Sequence, residues 1–227
     1  MKLFSYIRTK LGVLIVQIVR ARHGVVIFYG DAVRRERLRF IASVRNETKL
    51  LLSDHEAYQI LSLTYQTEKI PGAIAEVGVY RGASAKLIAH AAGKRAVYLF
   101  DTFDGLPPLE EIDRAAFSDG QYGARLEEVS AYLSAYPNSK LIKGVFPQTA
   151  QSIEGQQFSF VHLDVDLYKS TKEALEFFYP RMSKGGVIIS HDYMTAPGVR
   201  KAVDDFMSDK PEAVFESSWR QCFIVKV

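Results

Sequence analysis

The stretch Ala73-Ile74-Ala75-Glu76-Val77-Gly78-Val79-Tyr80-Arg81-Gly82 constrains this chain more than any other. An apolar run ends at an acid and a Gly-x-x-x-Gly turn, and Ala83 to Ala92 then reads as a helix. That is the strand–turn–helix of a nucleotide-binding α/β unit, where glycines let the backbone approach a ligand and pack the helix on the strand. A dinucleotide site places a middle glycine where the main chain meets the pyrophosphate; Tyr80 stands there instead. Glu76, at the strand end, would also repel a pyrophosphate. A carboxylate there suits a cation, such as the amino group of S-adenosylmethionine (SAM).

The next apolar run, Ala96-Val97-Tyr98-Leu99-Phe100, stops at Asp101. It lies about twenty residues beyond the glycine turn, the offset at which α/β sites hydrogen-bond ribose hydroxyls. A carboxylate can accept from both hydroxyls. The alternative is that Asp101 only opens a turn or caps the following segment.

With 227 residues the chain has room for one α/β domain with additions. At 48% hydrophobic it can build a core, and a net charge of +3 is too small to imply a nucleic-acid partner. Cys222 is the only cysteine, which excludes an intrachain disulfide and a cysteine metal cluster and fits a cytoplasmic location.

The amino terminus reads differently. Met1 to Lys10 is mildly basic, Leu11 to Val19 is almost wholly apolar, and Arg20 and Arg22 close it. A bilayer span needs about twenty apolar residues, so this is too short, and no small-residue cleavage site follows. Residues 3–22 are expected either to pack within the chain or a homo-oligomer, or to dip into a membrane interface with Lys and Arg at the headgroups. Residues 1–52 are accordingly expected to form a helical extension, and residues 53–227 the domain.

Within that extension Arg34, Arg35, Arg37 and Arg39 crowd around Glu36. This reads as a solvated helix face over Val33, Leu38, Phe40 and Ile41, with phosphate binding as the sharper alternative. Ser53 with Glu56 three residues later is a capping box, starting a helix through Tyr65 with Ile60, Leu61 and Leu63 as its apolar stripe. Pro71-Gly72 then opens the sheet.

Beyond Asp101 the pattern keeps alternating. Residues 102–122 carry Gly105, Pro107, Pro108 and Gly120 without a steady period, as expected of a lid or binding loop. A helix is expected over 124–136, strands at 140–143 and 158–163, a helix over 169–179, a turn at Gly185-Gly186 into strand 187–189, and a helix over 197–207. Residues 214–215 and 222–227 read as a closing hairpin. The alternation implies a parallel sheet wound on both faces, with an antiparallel edge. Asp164 and Asp166 leave one strand end, and His191-Asp192 the next. Acids from neighbouring strand ends can converge on a divalent cation such as Mg²⁺ or Ca²⁺. Equally, acids after strands often cap the next helix, and Asp166 precedes Ser170 and Thr171 in such a position.

Five blocks in order resemble the macrocin O-methyltransferase (TylF-like) family: residues 76–82, 101–107, 163–171, 185–193 and 198–204. The resemblance runs from about Ser53 onward. It implies a class I SAM-methyltransferase fold: a Rossmann-like, seven-stranded, mostly parallel sheet with helices on both faces. It also implies O-methylation of a hydroxyl, typically on a sugar or glycosylated acceptor, either a small molecule or a glycan, with Mg²⁺ assisting. The cofactor is then expected on Glu76, Gly78, Tyr80, Gly82, Ser84, Asp101, Thr102 and Phe103. By the same resemblance Asp164 is metal ligand and general base, and Asp192 a second ligand. In one position the chain departs from the pattern: the family places two acids before the tyrosine, and here the first is His191. Histidine suits Mn²⁺, Fe²⁺ or Zn²⁺ better than Mg²⁺. Three readings follow: His191 as an altered metal ligand, His191 as the base with no metal, or His191 only hydrogen-bonding Asp164. The acids Asp104, Glu110, Glu111 and Asp113 in the lid favour a polar acceptor. A small phenol or catechol acceptor, or a non-catalytic SAM-binding scaffold, are the alternatives.

Overall fold

The structure, a computed structural model, describes residues 31–217 and 219–227; the apolar segment at 3–22, with the interface or membrane role expected of it, lies outside the described residues. Helix α1 (Ala32–Glu47) starts where Asp31 accepts the Arg34 N–H at 2.8 Å. It buries Leu38, Ile41 and Val44, while Val33 in its first turn stays exposed. Both bonds of the expected capping box start α2 (Asp54–Gln66). Arg45 of α1 donates to the carbonyls of Leu50 (3.1 Å) and Leu52 (2.8 Å) and to Asp54 (2.7 Å). These bonds tie α1 to the start of α2 across residues 50–54.

The sheet is built from β1 (Ala73–Val77), β2 (Val97–Asp101), β3 (Ser139–Lys143), β4 (Phe158–Leu163), β5 (Met182–Ser190), β6 (Val214–Glu216) and β7 (Cys222–Val225). Its order is β3-β2-β1-β4-β5-β7-β6. The five strands β1 to β5 are parallel, and β7 pairs antiparallel with both β5 and β6. The expected doubly wound sheet with an antiparallel edge is thus present. The strand order reverses between β1 and β4, the switch point where such sheets open a crevice.

Four more helices connect the strands: α3 (Ala83–Ala91), α4 (Leu126–Tyr132), α5 (Tyr168–Phe178) and α6 (Pro197–Met207). On one face Ile60, Leu61, Leu87 and Ile88 pack with α1 against Ile74, Leu99, Phe160 and Ile189. On the other, Leu175, Phe178 and Val203 cover Val77, Phe100, Val161 and Ile188. Burying a side chain of this size contributes about 1.5–3 kcal/mol, so the two cores fix the strand ends firmly. Helix α4 is shorter than its pattern predicts. The Gly185-Gly186 pair forms no turn before β5 but lies within it. There the register with β4 shifts between Phe158 and Phe160, and a Cβ on Gly186 would meet the Phe158 carbonyl at 3.1 Å. The pair marks a bulge, where glycine permits close backbone approach. Among the described residues no helix is long and apolar enough to cross a membrane.

Candidate active site

A cleft opens beyond the carboxyl ends of β1, β2, β4 and β5, lined by residues that directly follow those strands. Gly78, with φ +91°, brings the β1 turn onto the end of β4; a Cβ there would stand 1.9 Å from the Asp164 carbonyl oxygen. Only glycine fits. Gly82 caps α3 in the left-handed conformation and offers no side chain, so the first amides of the helix are left for an anionic group. Ser84 in that first turn lines the cleft, as do Tyr80 and Thr102.

Asp101 also faces the cleft, with most of its acceptor capacity already used. One oxygen accepts the N–H groups of Val79 and Tyr80, each at 2.7 Å, and the other accepts Phe103 N–H at 2.6 Å. A carboxylate has about four lone-pair sites, which leaves one for a ribose hydroxyl rather than the two expected. Asp101 is the strut of the glycine turn as well as a ligand candidate.

Three expected cofactor residues stand off the cleft wall. Glu76 is fully buried, because the parallel register sets it beside His162 of β4, whose Nδ1 lies 2.8 Å from its Oε1. Burial pushes the Glu76 carboxyl up, against the pull of His162 and Ser84. Gly82 is covered by Val129 and Tyr132 of the α4 region, and Phe103 is buried beneath the start of the lid. These three shape the wall from behind.

Asp164, His191 and Asp192 offer ligand atoms within 4.8 Å of one another. Nδ1 of His191 lies 2.9 Å from Asp164 Oδ1 and 3.0 Å from Asp192 Oδ2, while Nε2 lies 3.3 Å from Glu56 Oε1. No oxygen is aligned with a ring N–H, so both nitrogens of this imidazole, only 5% exposed, lack a hydrogen-bond partner. Burial would lower the His191 pKa, but the Asp164, Asp192 and Glu56 carboxylates outweigh it and hold it well above the ordinary value. Burial raises Asp192 as well, and its contacts with His191, Thr195 and Arg220 overcome that and bring it below the usual carboxylate range. Asp166 is driven well up by burial and by Asp164 and Asp192. It does not cap α5: the first amide of that helix donates to Asp113 of the lid, at 3.1 and 3.3 Å.

Sequence reasoning missed Arg220 and the second role of Glu56. Arg220 lies before β7 and donates to Glu56 (3.0 and 3.1 Å) and Asp192 (3.4 Å). Glu56 was legible only as a capping residue. Burial works against its ionisation, but His191 and Arg220 hold it at about 2. Lys49 to Leu52 and Val145-Phe146 also line the cleft without any motif. Conversely, the lid acids give no polar lining: Asp104 pairs with Lys143 at 2.9 Å, Glu110 and Glu111 are exposed, and Asp113 is buried at α5. The lid gives the cleft Gly105, Leu106, Pro107 and Tyr122 instead.

Among the described residues, every non-glycine with positive φ is at or beside this cleft: Tyr80, Phe103, Tyr122, Asp166 and Asp192. Such conformations cost about 1–3 kcal/mol each and collect at functional sites.

Known proteins resemble this chain in sequence and in fold. Residues 57–213 match the family model described as macrocin-O-methyltransferase (TylF). A Streptomyces olivaceus protein, 8-demethyl-8-(2,3-dimethoxy-alpha-L-rhamnosyl)-tetracenomycin-C 4'-O-methyltransferase, is 33% identical over 159 residues, 63% of this chain and 60% of that protein. The chain spans about three fifths of the length of the curated relatives it matches, 60%, 58% and 61%. The solved O-methyltransferase NovP superposes with a TM-score of 0.70 at 24% identity, covering 78% of this chain and 82% of that one. An O-methyltransferase from Bacillus cereus in complex with SAH superposes at 0.59 with 15% identity, covering 94% and 97%.

Proposed function

The chain belongs to the macrocin-O-methyltransferase (TylF) family, and from that premise we propose that it transfers a methyl group from SAM to a hydroxyl of a sugar or glycosylated small molecule. The observation that carries the reading is the convergence of Asp164, His191 and Asp192 on the glycine turn of β1 within one cleft. The sugar class rests on the S. olivaceus relative, whose name specifies a rhamnosyl substrate. The apolar wall of Leu106, Pro107 and Tyr122 also suits a flat ring, so a catechol belongs among the acceptors tested.

The uncapped first turn of α3 and Ser84 fit the SAM carboxylate, and the remaining acceptor site of Asp101 fits one ribose hydroxyl. The residues also fit a divalent cation. Neighbouring ligand atoms of an octahedral centre with bonds of about 2.1 Å stand about 3.0 Å apart, and the His191 nitrogen keeps that spacing from both aspartates. Asp164, His191 and Asp192 would hold the ion. Bound there, it would lower the pKa of an acceptor hydroxyl. Asp164, with its side chain 25% exposed to the cleft, takes the hydroxyl proton as the new O–C bond forms and the C–S bond breaks, its electron pair staying on sulfur. His191 offers no nitrogen to substrate, since both face carboxylates in a buried site. The lid and Tyr122 exclude water from the transfer.

The test is twofold. Calorimetry with SAM and NAD side by side is expected to show binding of SAM alone. SAH release is then followed over nucleotide-activated sugars, glycosides and catechols. Turnover with a sugar hydroxyl is the expected result. Preference for NAD would overturn the cofactor assignment, turnover of catechols alone would overturn the sugar class, and SAM binding without any turnover would leave a scaffold.

A further inference from the structure

Resting on that reading of the cleft, we propose that Glu56 is a positioning residue for a metal-ligating His191, and that the pair turns the centre toward a first-row transition ion such as Mn²⁺ rather than Mg²⁺. The three candidate ligands leave adjacent strand ends, but Glu56 comes from α2, on a different layer of the molecule. Its carboxylate is 1% exposed and held on every side. Ser53 N–H and Oγ approach Oε2 at 2.7 and 2.8 Å, and Arg220 donates to both oxygens.

That fixed oxygen is the acceptor nearest His191 Nε2, while Nδ1 faces Asp164 and Asp192. Metal-binding histidines characteristically donate the distal N–H to a carboxylate, which sets the tautomer and aims the other nitrogen at the ion. Glu56 on Nε2 leaves Nδ1 bare on the side of the two aspartates. Nδ1 is buried without a hydrogen-bond partner, as an imidazole shaped for a ligand outside the protein would show, while Nε2 meets Glu56 Oε1 as a 3.3 Å contact that ligation at Nδ1 would align into a hydrogen bond. Replacing a carboxylate ligand by imidazole removes a negative charge; Glu56 returns one behind the ring. Arg220, 3.4 Å from Asp192 and bonded to Glu56, ties the two supports together. A nitrogen donor favours transition ions over the hard, strongly hydrated Mg²⁺.

The experiment measures binding on the full chain without turnover: Mn²⁺ by electron paramagnetic resonance, and Mg²⁺ by its displacement of Mn²⁺. The parent is expected to bind Mn²⁺ at least about tenfold more tightly than Mg²⁺. His191→Asp should narrow that gap, and Glu56→Gln should weaken Mn²⁺ about 10–100-fold. Asp31→Ala removes the cap of α1 far from the ligands and controls for lost stability; it should leave Mn²⁺ affinity unchanged. If Glu56→Gln does not fold, ¹⁵N-histidine spectra of the Zn²⁺-loaded parent address the same point, with ligation at Nδ1 and a protonated Nε2 expected. Mn²⁺ affinity unaltered in Glu56→Gln, or ligation through Nε2, overturns the role of Glu56 alone. Equal Mn²⁺ and Mg²⁺ affinity overturns the selectivity. No metal bound by the parent overturns the metal reading and this proposal together.

Discussion

Asp101 joins the glycine turn to the cleft through three backbone N–H groups, and its replacement tests both roles at once. A hydrogen bond to a charged group contributes about 1.5–3 kcal/mol. Asp101→Ala is therefore expected to lower the melting temperature and to weaken SAM binding about tenfold or more by calorimetry. Unchanged SAM affinity would reduce Asp101 to a turn residue. At this scale the sequence located the cleft: Gly78, Asp101, Asp164 and Asp192, singled out by their spacing at strand ends, all line it. It did not show that Glu76 would be buried, because a strand pattern does not tell that the neighbour across the sheet is His162. Arg220 was invisible for a related reason, its partners lying far away in the chain.

Helices and strands were legible from their periods and caps, whereas the behaviour of the lid was not. Residues 102–122 are tied internally, with Leu106 N–H donating to Gln121 O at 2.8 Å and Gly120 N–H to Leu106 O at 3.1 Å. Compact loops of this kind are often functional. Besides the Asp104–Lys143 pair, the lid is fastened to the body by Asp113, buried against the first amide of α5 and packed so closely on Gly198 that a Cβ there would stand 1.9 Å from its Oδ1. Losing a helix cap costs about 0.5–2 kcal/mol. Asp113→Ala should destabilise the protein by that order and speed amide hydrogen exchange across 106–122. Gly198→Ala, which displaces the carboxylate without removing it, should do the same. Exchange in the lid that is indifferent to both variants would show that Asp113 does not anchor it. No composition rule could have found this, since an acid in a polar loop reads as solvated until the fold places it.

Over the whole molecule, the two faces of the sheet are sealed by different parts of the chain, and the free edge is fastened by one acid. Glu212 accepts from Lys226 Nζ at 2.6 Å and from Tyr179. Desolvation alone would raise its carboxyl, but these partners hold it at about 2, below the ordinary 4.5. A group whose pKa falls on folding adds stability that is complete above about pH 4.5 and is lost as pH drops toward 2. Denaturant unfolding measured across that window should show the parent losing stability more steeply than Glu212→Gln, and equal slopes would remove Glu212 from the account. The same hairpin edge has a consequence for biogenesis. Because Arg220 supports Glu56 and Asp192 from the last loop before β7, that support is translated after every other wall of the cleft. A chain still on the ribosome can form its glycine turn and most of its sheet while His191 and its neighbours lack their counter-charge. The charge balance around His191 is therefore completed only once Arg220 has emerged, later than the glycine turn and the strands that follow it.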